Sequence, residues 1–347
     1  MKKKLRIAQI APLWVPVPPR TYGGIELMTN NLILGLQKRG HDVTLFASGD
    51  STVDTKLRAP IDKALWLQKD IRNPHAAIIK MLHMIKSETK SFDIIHNHFN
   101  FFMFPLAMIP DMSPMLTSIR SPLDEMYAET IKLFPQIHFS VLSNDARQAA
   151  AEFGVNVRDI VYNGIEVKRY SFNDQPQDYL LYLGRVNRQK GILTALRVAK
   201  RAGLRLIVAG NIVGAAEWTY FMQEVQPQLD DEHVKFVGQV NFQEKIELMK
   251  NAKGFLFPIE GREAFGNVMI ESMACGTPVV AFRQGSVPEV VAHGKTGFVV
   301  DNEEEMVEAV FKIDEIDRKT CRKRVEDCFT VDGMVDGYEK IYQKILE

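Results

Sequence analysis

Cysteine is scarce: Cys275, Cys321 and Cys328 are the only three in 347 residues. An odd number without metal-ligand spacing excludes a disulfide-stapled module and suits a reducing compartment. Net charge is missing as well, since 43 Lys and Arg balance 43 Asp and Glu, so bulk nucleic acid is not an expected partner. No apolar run approaches the roughly 20 residues that cross a bilayer. Phe99 to Ile109 is interrupted by Pro105 and stopped by Pro110, which leaves at most peripheral membrane contact. No signal peptide is visible, because Met1-Lys-Lys-Lys leads directly into a strand-like run. There is no Gly-x-Gly-x-x-Gly after that run, no Asp-x-Asp and no His or Cys cluster. The expectation is a cytoplasmic protein with no nicotinamide, no metal and no other cofactor.

What is present, 46% hydrophobic and 25% charged residues, suits two soluble α/β domains. Leu5 to Ile10 reads as a strand and Ile25 to Arg39 as an amphipathic helix carrying Ile25, Met28, Leu32 and Leu36 on one stripe. Tyr22-Gly23-Gly24 lies between them, where glycine lets backbone approach a ligand. Further strands are expected at Asp42 to Ala47, Phe92 to His96, Met115 to Ile119 and Ile137 to Leu142. Residues 51 to 75 show no clear pattern. The polar Ser171 to Asp178, with Pro176, reads as the linker between residues 1–172 and 173–330. Beyond it, Tyr179 to Gly184 reads as a buried strand, and Arg185 and Lys190 flank the next helix start, where two cations can neutralise a diphosphate. Leu204 to Ala209, followed by Gly210, and Val234 to Val237, running on to Val240, give two more strands.

The centre of the chain is Pro258 to Pro278. Glu263 and Glu271 stand eight residues apart, the first in a loop after the apolar Gly254-Phe-Leu-Phe257 and the second inside a helix over Asn267 to Cys275. Eight residues at about 100° each return to nearly one side, so both acids can face the crevice at a strand's carboxyl end. Backbone N–H groups from Ala264, Phe265, Gly266 and Asn267, with the helix dipole, favour phosphate or sugar oxygens. Ser286-Val-Pro-Glu289 has capping-box spacing. The basic run Arg318, Lys319, Arg322, Lys323 and Arg324 reads as a solvated helix face or a contact with anionic membrane.

The Glu263-to-Glu271 text, continued by Ser-Met-Ala-Cys-Gly-Thr-Pro-Val-Val280, Gly285-Ser-Val-Pro-Glu289 and Gly294-Lys-Thr-Gly-Phe-Val-Val300, resembles the retaining nucleotide-sugar glycosyltransferases of family 4. That resemblance implies a GT-B fold, two Rossmann-like domains whose parallel sheets face a central cleft. It also implies that the last helix, within residues 331–347, packs back on the first domain. By the same resemblance Arg185 and Lys190 clamp the donor diphosphate, Gly23, Gly24 and Gly210 approach the donor, and Val240 lies at its base. Glu263 and the 264–267 turn would meet the sugar, Glu271 the ribose, and His98 a sugar hydroxyl, giving His98, Glu263, Arg185 and Lys190 the catalytic roles. Tyr22 and Arg120 fall on the acceptor side. Arg120 is a departure, because similar sequences carry histidine there; a fixed charge for an acidic acceptor and a surface salt bridge are its two readings.

The implied activity is transfer of a hexosyl group from a nucleoside diphosphate sugar, a UDP-sugar such as UDP-glucose, to a hydroxyl of an unidentified glycan, lipid or small molecule, with retention and without metal. Alternatives are a GDP-mannose-dependent mannosyltransferase and a non-catalytic sugar-nucleotide sensor.

Overall fold

Two wholly parallel sheets organise the chain. The computed structural model describes residues 4–68, 71–230 and 232–347; the Met1 to Lys3 start, read above as leading into a strand, lies outside the described residues. Contacts divide the chain into Met1–Gly164 with Val331–Glu347, and Ile165–Thr330.

In the first unit seven strands run β1 (Arg6–Ile10), β2 (Asp42–Phe46), β3 (Lys56–Arg58), β4 (Ile94–Asn97), β5 (Met115–Ser118), β6 (His138–Val141) and β7 (Asp159–Ile160). They are ordered β3-β2-β1-β4-β5-β6-β7. The helices α1 (Gly24–Lys38), α2 (Pro74–Glu88), α3 (Glu125–Lys132) and α4 (Asn144–Glu152) connect them. Parallel pairing buries the central strands on both faces, so β1, β2, β4 and β5 are rich in buried apolar residues, with a few buried polar side chains among them. Ile10, Phe46 and Ile95 join one core, and Ile7, Leu45, Ile94 and Leu116 the other. The second core is closed by the terminal helix Val331–Leu346, whose buried Met334, Val335, Tyr338, Ile341 and Tyr342 follow helical spacing. It crosses α1 closely: a Cβ on Gly35 would lie 2.6 Å from the Val335 side chain.

In the second unit the strands are β8 (Tyr179–Arg185), β9 (Arg205–Asn211), β10 (Val234–Gly238), β11 (Gly254–Phe257), β12 (Val279–Phe282) and β13 (Gly297–Val300), ordered β10-β9-β8-β11-β12-β13. The helices are α5 (Ile192–Ala202), α6 (Gly214–Tyr220), α7 (Phe242–Asn251), α8 (Asn267–Ala274), α9 (Val287–Val290), α10 (Glu303–Phe311) and α11 (Arg318–Cys328). In each unit the strand order reverses once, between β1 and β4 and between β8 and β11. An open α/β sheet binds its ligand at the carboxyl ends flanking that reversal.

The chain leaves the first unit at Gly164, eight residues before the expected boundary at 172. Ser171 to Asp178, read above as the linker, bonds into the second unit, Asn173 N–H to Cys275 O at 3.3 Å and Gln177 N–H to Asn251 O at 2.7 Å. Within the unpatterned stretch, β3 and a 3-10 turn at Leu65–Leu67 appear. Among the described residues, no helix is long and apolar enough to cross a membrane.

Candidate functional site

Beside the β8–β11 reversal, the loops after the two strands meet. Past β8 the chain makes a 3-10 turn, Arg188–Lys190, capped by Asn187, and enters α5 through Gly191 at φ 69°. A Cβ on Gly191 would fall 1.8 Å from Pro258 O, so glycine is what lets the loops after β8 and β11 touch. Glu260 N–H also donates to Gln189 O at 2.9 Å. These contacts bring Lys190 Nζ to 2.8 Å from Glu263 Oε2, and Phe257 lies under the ammonium at 5.9 Å. A third loop locks Glu263, since Ser286 N–H donates to its carbonyl at 3.0 Å and Gly285 leaves no room for a Cβ beside it. The Glu263 carboxylate is thus fixed at its backbone and paired at its tip.

Arg185 lies at the end of β8 with Nε 2.5 Å from Glu217 Oε1, an ion pair that lacks hydrogen-bond alignment. Glu217 also accepts from Val213 N–H at 2.6 Å and Asn187 Nδ2 at 3.3 Å. Glu271 is buried in α8, and its Oε1 accepts from Lys245 Nζ at 2.6 Å and Tyr170 Oη at 3.0 Å. Burial and then the Glu271 charge hold the Tyr170 phenol well above its ordinary range, so it remains a donor. Gly210 packs against β8, where a Cβ would sit 2.4 Å from Gly184 O. Gly266, at φ 76°, starts α8 and sets Ala264, Phe265 and Asn267 around the turn. Val240 follows β10 just before the Asn241–Glu244 capping box of α7.

In the first unit Gly23 and Gly24 open α1, beside Tyr22, which is 39% exposed. Gln9, His96 and Ser118 alternate with apolar residues so that all three project from the carboxyl ends of β1, β4 and β5 toward the terminal helix. There Tyr342 Oη meets Gln9 Nε2 at 3.2 Å and His96 Nδ1 at 2.6 Å, while Ser118 Oγ meets His96 Nε2 at 2.8 Å and Tyr338 Oη at 2.9 Å. His98 is fully buried: Arg120 Nε donates to its Nδ1 at 3.1 Å, so Nε2 carries the proton and donates to Gln9 Oε1 at 2.6 Å. Burial first, then the neighbouring His96 ring and the Arg120 charge, hold the His98 imidazole well below its ordinary range and hence neutral. Arg120 is not a surface salt-bridge residue, since it is 8% exposed and its Nη1 donates to Asn163 Oδ1 at 3.0 Å.

Of the expected site residues, Lys190 and Glu263 are in direct contact in the second unit, where Arg185 is paired instead with Glu217 and Glu271 with Lys245 and Tyr170, and in the first unit His98 and Arg120 are in direct contact. Sequence reading missed Glu217, Lys245, Tyr170, Gln9 and Glu26. The ion pairs and side-chain partners that give them their roles lie 26 or more positions away, or the role comes from burial, and no local pattern announces either. Two readings are corrected. Ser286 makes no side-chain cap and its Oγ is buried without a hydrogen-bond partner, so no capping box forms at 286–289. The basic run is only partly a solvated face. Arg318 donates to Asn173 O, Ala252 O, Lys250 O and Thr277 Oγ1, and Arg322 to Tyr170 O and Ala274 O, closing carbonyls that α7 and α8 leave open. Among the described residues, no group of three or more His, Cys, Asp or Glu could hold a metal ion.

Two family models match the chain in succession, Glycosyltransferase Family 4 over residues 22–169 and Glycosyl transferases group 1 over residues 165–326. The O-antigen chain mannosyltransferase C of Escherichia coli is 25% identical, with 95% of this chain and 96% of that protein covered. Among solved structures, sucrose-phosphate synthase from Thermosynechococcus elongatus superposes with a TM-score of 0.82 at 19% identity, covering 99% of both chains. Anabaena HepE in complex with UDP-glucose gives 0.78 at 14% identity, covering 98% of this chain and 100% of that one. With two parallel α/β units and these matches, the chain has the GT-B fold and belongs to the family 4 glycosyltransferases.

Proposed function

We propose that the chain transfers a hexosyl group from a nucleoside diphosphate sugar, a UDP-sugar such as UDP-glucose, to an acceptor hydroxyl, with retention of configuration and without a metal or other cofactor. The second unit binds the donor and the first takes the acceptor. The observation that carries this reading is the Lys190–Glu263 pair, held where the strand order reverses. An arriving diphosphate competes with Glu263 for Lys190, and Arg185 adds a second cation, so the departing charge is met without magnesium. Glu263, released from Lys190, accepts hydrogen bonds from the sugar hydroxyls, aided by the backbone of Ala264 to Asn267. Glu271, already oriented by Lys245 and Tyr170, accepts from the ribose. Gly210 and Val240 line the nucleotide, and Gly23 and Gly24 meet donor phosphate.

His98 enters as the group for a sugar hydroxyl near the anomeric carbon. Both its ring nitrogens are engaged, so this role requires an exchange of Gln9 or Arg120 for that hydroxyl. Retention follows, in this reading, from same-face attack assisted by the departing phosphate, since no second carboxylate is assigned as a nucleophile. A HepE structure holds UDP-glucose, which favours a uridine donor; the mannosyltransferase relative favours GDP-mannose as the second reading.

The test is binding and slow hydrolysis of UDP-glucose, UDP-N-acetylglucosamine, UDP-galactose, GDP-mannose and ADP-glucose with EDTA present. One donor bound and hydrolysed is the expected outcome. Tight binding without hydrolysis or transfer leaves a sensor, and no binding removes the donor site.

A further inference from the structure

A buried charge needs a counter-charge, and Arg120 lacks a full one. Its guanidinium, a five-donor fork with no acceptor, belongs to a side chain 8% exposed in the first unit. Nε and Nη1 donate to His98 and Asn163, which are uncharged acceptors, and Nη2 is buried with no hydrogen-bond partner. The titratable groups that feel its charge come from β4, the loop after it, α1 and the terminal helix. His96 and His98, at the end of β4, are neutral rings held well below their ordinary range by burial and by Arg120. Tyr342, on the terminal helix, is a phenol that burial holds well above its ordinary range, and Glu339 beside it is already paired with Arg39 and His41. Glu26, in the first turn of α1, is 5% exposed; burial outweighs the hydrogen bond from its own backbone N–H and the smaller attraction of Arg120, and lifts its carboxyl to about 7. Near neutral pH it supplies only part of a negative charge.

We infer that Arg120 and Glu26 form an acceptor subsite for an oxyanion, carboxylate or phosphate, so that the sugar acceptor is an acidic molecule. The word acceptor rests on the transferase reading above; the anion site does not. Arg120 follows β5, His98 follows β4 and Glu26 lies beyond β1, so the subsite lies at the carboxyl ends of the three central strands, where such sheets bind ligands. Nη2 donates to one oxygen of the anion and the protonated Glu26 donates its O–H to another. Ligand and ionised Glu26 compete for one cation, so anion binding takes up a proton.

Calorimetric titration of the full chain with D-glucuronate against D-glucuronamide, and with glycerol 3-phosphate against glycerol, tests this directly. At pH 6 at least one anion binds tenfold or more tightly than its neutral partner, and which one identifies the class. The glucuronate carboxylate stays ionised from pH 6 to 8, so any loss of its advantage over that interval reports Glu26. The wild type loses it, Glu26→Gln keeps it at both pH values, and Arg120→Gln abolishes it. If neither anion is preferred, or if Arg120→Gln keeps the preference, the inference is overturned. Should Arg120→Gln fail to fold, the Glu26→Gln pH comparison decides alone. UDP-glucose binding, measured separately, keeps the readings apart: donor binding without anion preference removes this subsite only, and the converse removes the donor site only.

Discussion

Lys190 and Glu263 illustrate how little an ion pair contributes to stability and how much it can contribute to binding. Their side chains are 31% and 17% exposed, so the pair stabilises the fold by no more than about 1 kcal/mol. Glu263→Gln should therefore leave the melting temperature almost unchanged while lowering turnover about 100-fold, the usual loss for one transition-state contact. Wild-type turnover in that variant would remove Glu263 from the chemistry. Glu26 behaves oppositely, since its pKa is about 7 folded against 4.5 unexposed to the fold. Between those values the folded state holds more protons, so Glu26 lowers stability progressively as pH rises through that window, by up to about 3 kcal/mol. Buried His96 and His98, with lowered values, act in the opposite direction below 6.5, so total stability is not the readout. The gap in melting temperature between Glu26→Gln and wild type should instead widen from pH 5 to pH 8. A constant gap would show that Glu26 titrates normally.

At the scale of elements, two close approaches decide whether the site exists. Gly191→Ala puts a Cβ onto Pro258 O and forces apart the loops after β8 and β11. Donor affinity should fall at least tenfold, about 1.4 kcal/mol, with a loss of stability of about 1–3 kcal/mol from the strained φ; unchanged affinity would mean the two loops need not touch. These elements were largely legible in sequence. Short apolar runs marked strands such as β1, β2 and β8, helical spacing marked α1, and the Glu263 loop and Glu271 helix lie where the sequence pattern puts them. Residues 51 to 75 were not legible, because β3 is a three-residue edge strand with exposed Lys56 and Arg58 and has no period to read. Ser286 shows the converse failure: the capping-box spelling is present, but Ser286 itself sits at φ −72°, ψ −7°, helical rather than extended, so its hydroxyl cannot reach the turn. Glu271's partners, Lys245 and Tyr170, were invisible because only the tertiary fold brings them to one carboxylate.

For the molecule as a whole, each unit carries its own parallel sheet, and the first is completed by residues from the far end of the chain. Tyr342→Phe leaves Gln9 Nε2 and His96 Nδ1 without their shared partner and should cost about 1–3 kcal/mol, read as a lower urea midpoint. Removing residues 331–347 exposes Leu32, Leu36 and the Gly35 crossing, and should unfold the first unit rather than merely loosen it. A truncated chain with native circular dichroism and an unshifted midpoint would contradict that. The central claim is that the second unit holds a nucleoside diphosphate sugar by Lys190 and Arg185 without a metal. Calorimetric titration of UDP-glucose in EDTA, into wild type and Lys190→Met, tests it most directly. The account predicts binding by wild type, undiminished by EDTA, and at least tenfold weaker binding by Lys190→Met; equal binding by both, or binding only after magnesium is restored, would contradict it.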